Sequence, residues 1–305
     1  MMKDKPPLLV ADMNVAGVKS GTRLRQVFAA MQKRKVDVFL GQEHGLKRED
    51  EDRLESTAQE FGYRVEASWV PVSGTRGGTM VALRANTFGL RRTDPVPRNK
   101  KTLGGGVCVV RVPLGEQDYE FASIYVPVHA PLRRAFLSRL KEAKLLTKQT
   151  IVGADRNTVK DLSMDVRYAD KSPQTYSKQN AHAAMFDSYM ADLGLVDTFR
   201  AIEGDKARSY TRLGPTVHTR IDCVFGPRRS DQFQWYSYRT EDVRGPSWES
   251  DHMAILVEIK QVVDVDIGKG RHRIDTEIFH SERVCTALRN LWTEIRNTYP
   301  PEQYG

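Results

Sequence analysis

The segment TIVGADRN, residues 150–157, opens as an apolar, strand-like run and closes on an acid and an amide two residues apart. Alternation along an extended chain puts Asp155 and Asn157 on one side. The same arrangement, an apolar run with a polar signature at its end, recurs elsewhere. LLVADMN ends on Asn14, VDVFLG leads into Gln42-Glu43, and FASIYVP carries Tyr125. TRIDCVF carries Asp222, and Ser250-Asp251-His252 directly precede MAILVEI.

Between these runs the apolar periodicity alternates between strand and helix. Leu24, Val27, Phe28 and Met31 recur at helical spacing, which predicts a helix over residues 22–34. Further helices are expected at 49–61, at 131–146 with Pro131 in the first turn, and at 178–193 ending before Gly194. Strands are expected at 8–14, 36–40, 63–70, 79–84, 107–113, 119–127, 150–153, 208–212, 219–226, 233–239 and 253–259. Strands in meanders with a few inserted helices do not fit a doubly wound parallel fold. They fit an α/β (α+β) architecture of two mainly antiparallel sheets packed face to face, with helices outside. Such a sandwich can gather strand ends from distant positions along one rim.

The 305 residues suit one large domain plus an extension. Residues 1–260 read as the domain, and 261–305 as a basic linker followed by a helix over 281–297. Hydrophobic content of 40% supports a real core. No apolar run approaches the roughly 20 residues of a membrane span, and the N-terminal segment lacks a signal-peptide pattern. Three cysteines, Cys108, Cys223 and Cys285, without a CxxC spacing fit free thiols in a reducing, intracellular setting. A net charge of +8 suits a polyanionic partner such as nucleic acid.

Each signature taken alone has an ordinary explanation. Glu43 could be a solvated acid at a strand exit, Asn14 a turn residue and Tyr125 a core tyrosine. Asp155-Asn157 could be a capping loop, and Asp222 a structural acid met by Arg220 or by backbone. Together they supply what phosphodiester cleavage needs. Glu43 offers a rigid carboxylate for a hard cation, Asp251 a further acid for a metal-bound water or for orientation, and Asn14 an amide for a phosphate oxygen or a neighbouring carboxylate. Asp155 can deprotonate water, and Asn157 and Tyr125 can hold a phosphate. Asp222 can pair with His252 and favour an imidazolium.

The ordered set N…QE…Y…GxDxN…RID…SDH resembles the endonuclease/exonuclease/phosphatase superfamily, the DNase I-like nucleases, over residues 8–260. GGTMVALR, YVPVHAPLRRAF, GLVDTFR and RSYTR are similar to the corresponding parts of its members. The resemblance implies a four-layer sandwich and hydrolysis with inversion aided by Mg²⁺, for which Mn²⁺ substitutes. It makes Glu43, Asn14 and Asp251 metal ligands and Asp155, His252, Asp222, Tyr125 and Asn157 catalytic residues. Two positions depart from the pattern. Ala16 stands where many members carry an acid or amide, which weakens a second metal site. Arg156 replaces the usual aromatic and would add a phosphate contact or a surface charge.

The tail GKGRHRIDTEIFHSERVCTALRNLW resembles the segment that joins endonuclease to reverse transcriptase in LINE-type retrotransposon polyproteins, with His272 and Asp275 where Trp and Asn are usual. That resemblance implies a nuclear enzyme nicking one strand of double-stranded DNA to prime reverse transcription. It also implies a polymerase beyond residue 305 and contact with the element RNA. The domain itself is expected to be a monomer without membrane contact. An abasic-site repair endonuclease and an inactive DNA-binding relic are the competing expectations. The loop from Leu213 to Thr219 is expected to form a hairpin contacting a DNA groove.

Overall fold

The computed structural model describes residues 7–71, 77–90, 101–114, 117–168, 180–228, 233–245, 248 and 250–261, together with Thr286 and Asn290. The chain divides into two compact units, Met1–Val262 and Val263–Gly305. Of the second, only Thr286 and Asn290 are described, both helical and exposed; the rest of the linker and helix expected there lies outside the described residues.

The first unit contains two six-stranded sheets. Its strands are β1 (Leu8–Asn14), β2 (Val38–Gln42), β3 (Tyr63–Ser68), β4 (Thr79–Arg84), β5 (Lys101–Leu103), β6 (Val107–Leu114), β7 (Gln117–Tyr125) and β8 (Thr150–Asp155). They continue as β9 (Val166–Tyr168), β10 (Leu195–Asp197), β11 (Arg212–Leu213), β12 (Val217–Thr219), β13 (Asp222–Pro227), β14 (Phe233–Glu241) and β15 (Ala254–Gln261). One sheet runs β14-β15-β1-β2-β4-β3, the other β10-β13-β8-β7-β6-β5, and a small third sheet runs β11-β12-β9.

Each large sheet has one parallel pair at its centre, β1 with β2 and β7 with β8. The other pairs are antiparallel. A parallel pair needs a crossover, and here each is helical. Helix α1 (Gly21–Lys33) joins β1 to β2, and α4 (Ala130–Ala143) joins β7 to β8. The remaining helices are α2 (Glu51–Glu60), α3 (Ala85–Phe88), α5 (Asn180–Asp192) and α6 (Thr198–Glu203). Leu24, Val27, Phe28 and Met31 of α1 pack with Ala11, Met13 and Phe39 on the outer face of the first sheet. Leu137 and Leu140 of α4 pack with Ala122, Ile124 and Val152 on the outer face of the second. A third cluster, including Val10, Leu40, Phe121, Ile151 and Val224, fills the space between the sheets. The result is the four-layer sandwich expected from the sequence. No described helix is long and apolar enough to cross a membrane.

Strand parity carries the site residues to one edge. Val10 and Leu40 face the other sheet, so Asp12, Asn14 and Gln42 share that face. Phe121, Ile151 and Val224 do the same in the second sheet and bring Tyr125, Asp155 and Asp222 to the same face. Register completes the alignment: Asn14 lies opposite Gln42, Tyr125 opposite Asp155, and Asp155 opposite Asp222.

The strand expected over 219–226 is interrupted at Arg220 and Ile221. The Arg220 backbone N–H donates to Asp165 O instead of a ladder partner, and its guanidinium, fully buried, meets Asp165 and Asp197, each at 2.8 Å. Arg220 therefore does not neutralise Asp222. Arg156 is also fully buried, donating to Asp187 at 3.0 Å. The expected phosphate contact or surface charge at Arg156 is thus corrected to a buried ion pair. Removing one partner of such a pair costs about 3–5 kcal/mol. Arg220→Ala is expected to lose stability of that order in urea unfolding; a loss below about 1 kcal/mol, the level of surface pairs, would contradict a stabilising role.

Candidate active site

Glu43, Asn14, Tyr125, Asn157, Asp251 and His252 line one cleft of about 750 Å³. Asp155 and Asp222 are not on its wall and are 1% and 0% exposed. The eight candidate residues thus form two tiers, six that line the cleft and a buried acidic floor beneath them.

Asn14 joins the tiers. Its amide nitrogen donates to Glu43 Oε2 at 3.0 Å and to Asp155 Oδ2 at 2.8 Å, while its oxygen accepts from the Ala16 N–H at 2.8 Å. Carboxylates on one side and an N–H on the other leave a single amide orientation that satisfies every partner. Glu43 and Asp155 therefore both lie against the Asn14 amide nitrogen. Ala16 contributes its backbone to this arrangement and no ligand of its own.

Glu43 follows the last residue of β2 with φ +55°, a conformation that costs a non-glycine residue energy and persists where the surroundings enforce it. His44 is part of that enforcement. It is fully buried; its Nδ1 accepts from Leu46 N–H at 2.9 Å, and its Nε2 lies 3.2 Å from Ser68 O. Burial pushes the imidazole down to about 4, so it is neutral at physiological pH, with its proton on Nε2. The ring also explains Gly78, where a Cβ would lie 2.4 Å from His44.

Asp155 accepts from the Asn157 backbone N–H at 2.9 Å and from the Asn157 amide at 3.3 Å. Asn157 has φ +49°, and its amide also donates to Val126 O at 2.9 Å. Burial and then the Asp222 charge push the Asp155 carboxyl up to about 7. Asp222 accepts from His252 Nδ1 at 2.8 Å. Burial disfavours the imidazolium, but Asp222 outweighs it and holds the His252 pKa up at about 9. Ser250 fixes this histidine, its hydroxyl accepting from His252 N–H and donating to Asn14 O, each at 3.1 Å.

Asp251 faces Arg212 at 2.6 Å, and its other oxygen lies 3.6 Å from His252 Nε2. The hairpin β11–β12 carries Arg212 and is tied to the site through Leu213 N–H donating to Asp251 O at 2.7 Å. Leu213 and Arg212 are exposed, so the expected hairpin exists and lies on the rim.

Sequence reasoning missed several groups here. Lys19, Arg23 and Arg212 line the cleft and give it a basic border. Asp12 lies beneath the site, fully buried, accepting from the Gln42 amide at 2.6 Å while its second oxygen has no hydrogen-bond partner. Burial, followed by the Asp222 charge, raises its pKa well above the carboxylate range. Gly153 makes room for it, since a Cβ there would lie 2.1 Å from Asp12 Oδ1. Its position two residues before Asn14, on the same strand face, was the available signal.

Asp155, Asp222 and His252 offer ligand atoms within 4.8 Å of one another. His252 Nδ1 is engaged by Asp222, and an imidazolium is no metal ligand. Glu43 and Asp155 fit a hard cation better. Both are oxygen donors, and the crowding that raises Asp155 is relieved by positive charge.

No protein-family model matches the chain, and no curated protein matches it in sequence. Solved structures do share its architecture. The endonuclease domain of TRAS1, a telomere-specific non-LTR retrotransposon, aligns with TM-score 0.55 and 17% identity over 85% of this chain and 100% of its own. The 3'-5' exonuclease NExo from Neisseria meningitidis aligns with TM-score 0.62 and 16% identity over 83% of this chain and 100% of its own. The AP endonuclease LMAP from Leishmania major gives TM-score 0.60 and 16% identity over 84% of this chain and 88% of its own. The chain has the DNase I-like fold of these proteins.

Proposed function

We propose that this chain is a divalent-metal-dependent DNA endonuclease that hydrolyses one strand of a duplex. The observation that carries the reading is the single amide of Asn14 drawing Glu43 and Asp155 together beside the Asp222–His252 pair. Mg²⁺, or Mn²⁺ in its place, held by Glu43 and Asp155 would polarise a phosphoryl oxygen. Asp251 joins that ligand set only if Arg212 releases it.

The chain's own groups divide the remaining work. Asp155, ionised beside the cation, would position the attacking water and accept its proton. Tyr125 holds the scissile phosphate, joined by Asn157 only if its amide releases Asp155, and the His252 imidazolium, anchored through Nδ1, presents its Nε2–H to a phosphate oxygen. Lys19, Arg23 and Arg212 contact the flanking backbone, and the β11–β12 hairpin meets a groove.

Nicking of the kind that primes reverse transcription is supported by two features: the fold shared with the TRAS1 endonuclease domain and the retrotransposon-like sequence after residue 260. On this reading residues 1–260 are the nuclease and 261–305 an arm toward a polymerase and its RNA. The Leishmania AP endonuclease, with the same fold, motivates abasic-site repair as a second reading. Incubation with supercoiled plasmid and Mg²⁺, with the nicks mapped, separates them. Relaxed circles cut at preferred intact sites are expected; a large preference for an abasic duplex over intact plasmid would favour repair, and no cleavage of either would overturn both.

A further inference from the structure

The carboxylate of Asp251 lies between two cationic groups at the cleft. One oxygen meets the Arg212 guanidinium at 2.6 Å, and the other lies 3.6 Å from His252 Nε2. All three residues line the cleft, together with Glu43. The backbone fixes this arrangement. Leu213 N–H donates to Asp251 O at 2.7 Å and Met253 N–H to Thr211 O at 2.6 Å, which makes Arg212 and His252 antiparallel bridge partners. Thr211 is fully buried, and its hydroxyl accepts from Asp222 N–H at 3.1 Å. What can move here is the pair of side chains, 44% exposed for Arg212 and 42% for Asp251.

The strength of the Arg212–Asp251 pair decides what it can do. An ion pair so open to water shifts an equilibrium by about fivefold at most. A phosphodiester offers the guanidinium another anionic acceptor of matching geometry, and the DNA reading gives both Arg212 and His252 to phosphates. With both turned to the DNA backbone, the Asp251 carboxylate loses its counter-charges in a cleft it shares with Glu43. A hard divalent cation is the partner that oxygen donors so placed select. While Arg212 stays in place, its guanidinium occupies the carboxylate and opposes an incoming cation.

We infer that Arg212 is a partner-exchanging switch: it withholds Asp251 from the cation until the phosphates of a bound duplex draw it off and release that carboxylate to the metal site. DNA and cation therefore strengthen one another's binding, and linkage makes the effect equal in both directions. The inference rests on the DNA and metal reading proposed above and adds its regulation: Asp251 reaches the cation only where substrate is present.

Two double-mutant cycles test the switch, each read by binding rather than cleavage. In the first, fluorescence anisotropy follows a labelled duplex in EDTA. Asp251→Asn releases Arg212 to phosphate and should tighten binding; in the Arg212→Gln background that gain should shrink by about two- to fivefold, the range of an exposed pair. Glu43→Gln removes the same charge from the same cleft and should act equally in both backgrounds. In the second, the electron paramagnetic resonance signal of unbound Mn²⁺ reports cation binding without DNA. Arg212→Gln should tighten it by about two- to fivefold more in the native background than in Asp251→Asn. Arg212 and Asp251 are half-exposed, and their substitution keeps the Leu213–Asp251 backbone hydrogen bond, so folding tolerates both. Additivity in either cycle would overturn the switch and leave the nuclease reading intact. A native chain that fails to bind the duplex or Mn²⁺ would overturn both.

Discussion

Asp155→Asn is expected to reduce plasmid nicking by about 10²–10⁴-fold, the usual contribution of a positioned general base. The substitution is nearly isosteric, so shape and burial persist. What it removes is the group that can accept a proton from water and the second carboxylate beside Glu43. In the native site the carboxyl accepts from Asn14 and from both the backbone and the amide of Asn157. It is nonetheless pushed up to about 7 by burial and by Asp222. Circular dichroism should be unchanged in the variant. Near-native nicking by Asp155→Asn would remove the base from this account.

His252→Ala should lower nicking by a comparable about 10²–10⁴-fold, and the pH profile identifies why. The imidazolium is the active form, so activity that depends on it is present below the His252 pKa and lost as pH rises through about 9. Asp155 must be ionised, so activity rises with pH through a limb at or below about 7, since a bound cation opposes protonation of the carboxylate. The profile is therefore expected to be bell-shaped. Asp222→Asn takes away the charge that holds His252 up, so its alkaline limb should move to lower pH. An alkaline limb that stays in place would show that another group sets it.

How much of this was legible in the sequence follows from the range of the forces involved. Strand alternation is local, so the parity that aims Asp155 and Asn14 at the same face could be read from TIVGADRN and LLVADMN. The two helical crossovers also follow from local periodicity, and they produce the helix–sheet–sheet–helix layering. Ion pairs between distant segments leave no local signature. Arg220 meets Asp165 and Asp197, and Arg156 meets Asp187, across intervals no pattern spans. The sequence accordingly points to a phosphate contact or surface charge at Arg156 and to Arg220 as a partner of Asp222, and carries no sign of the strand break at Arg220. A histidine beside a glycine carries no local mark of burial, and His44 braces Glu43 only in the folded loop. Asp12 shares the strand face of Asn14, but the partners that make its place, Gly153 and Gln42, come from other strands.

The central claim is that Glu43 and Asp155 jointly hold a divalent cation that cleavage requires. Nicking of supercoiled plasmid, titrated with Mg²⁺ from an EDTA-treated stock for the native chain and for Glu43→Gln, tests it most directly. The account predicts no nicking in EDTA, saturable nicking by the native chain, and a large loss in Glu43→Gln that added Mg²⁺ recovers only in part. Nicking that persists in EDTA, or a Glu43→Gln titration superimposable on the native one, would contradict it.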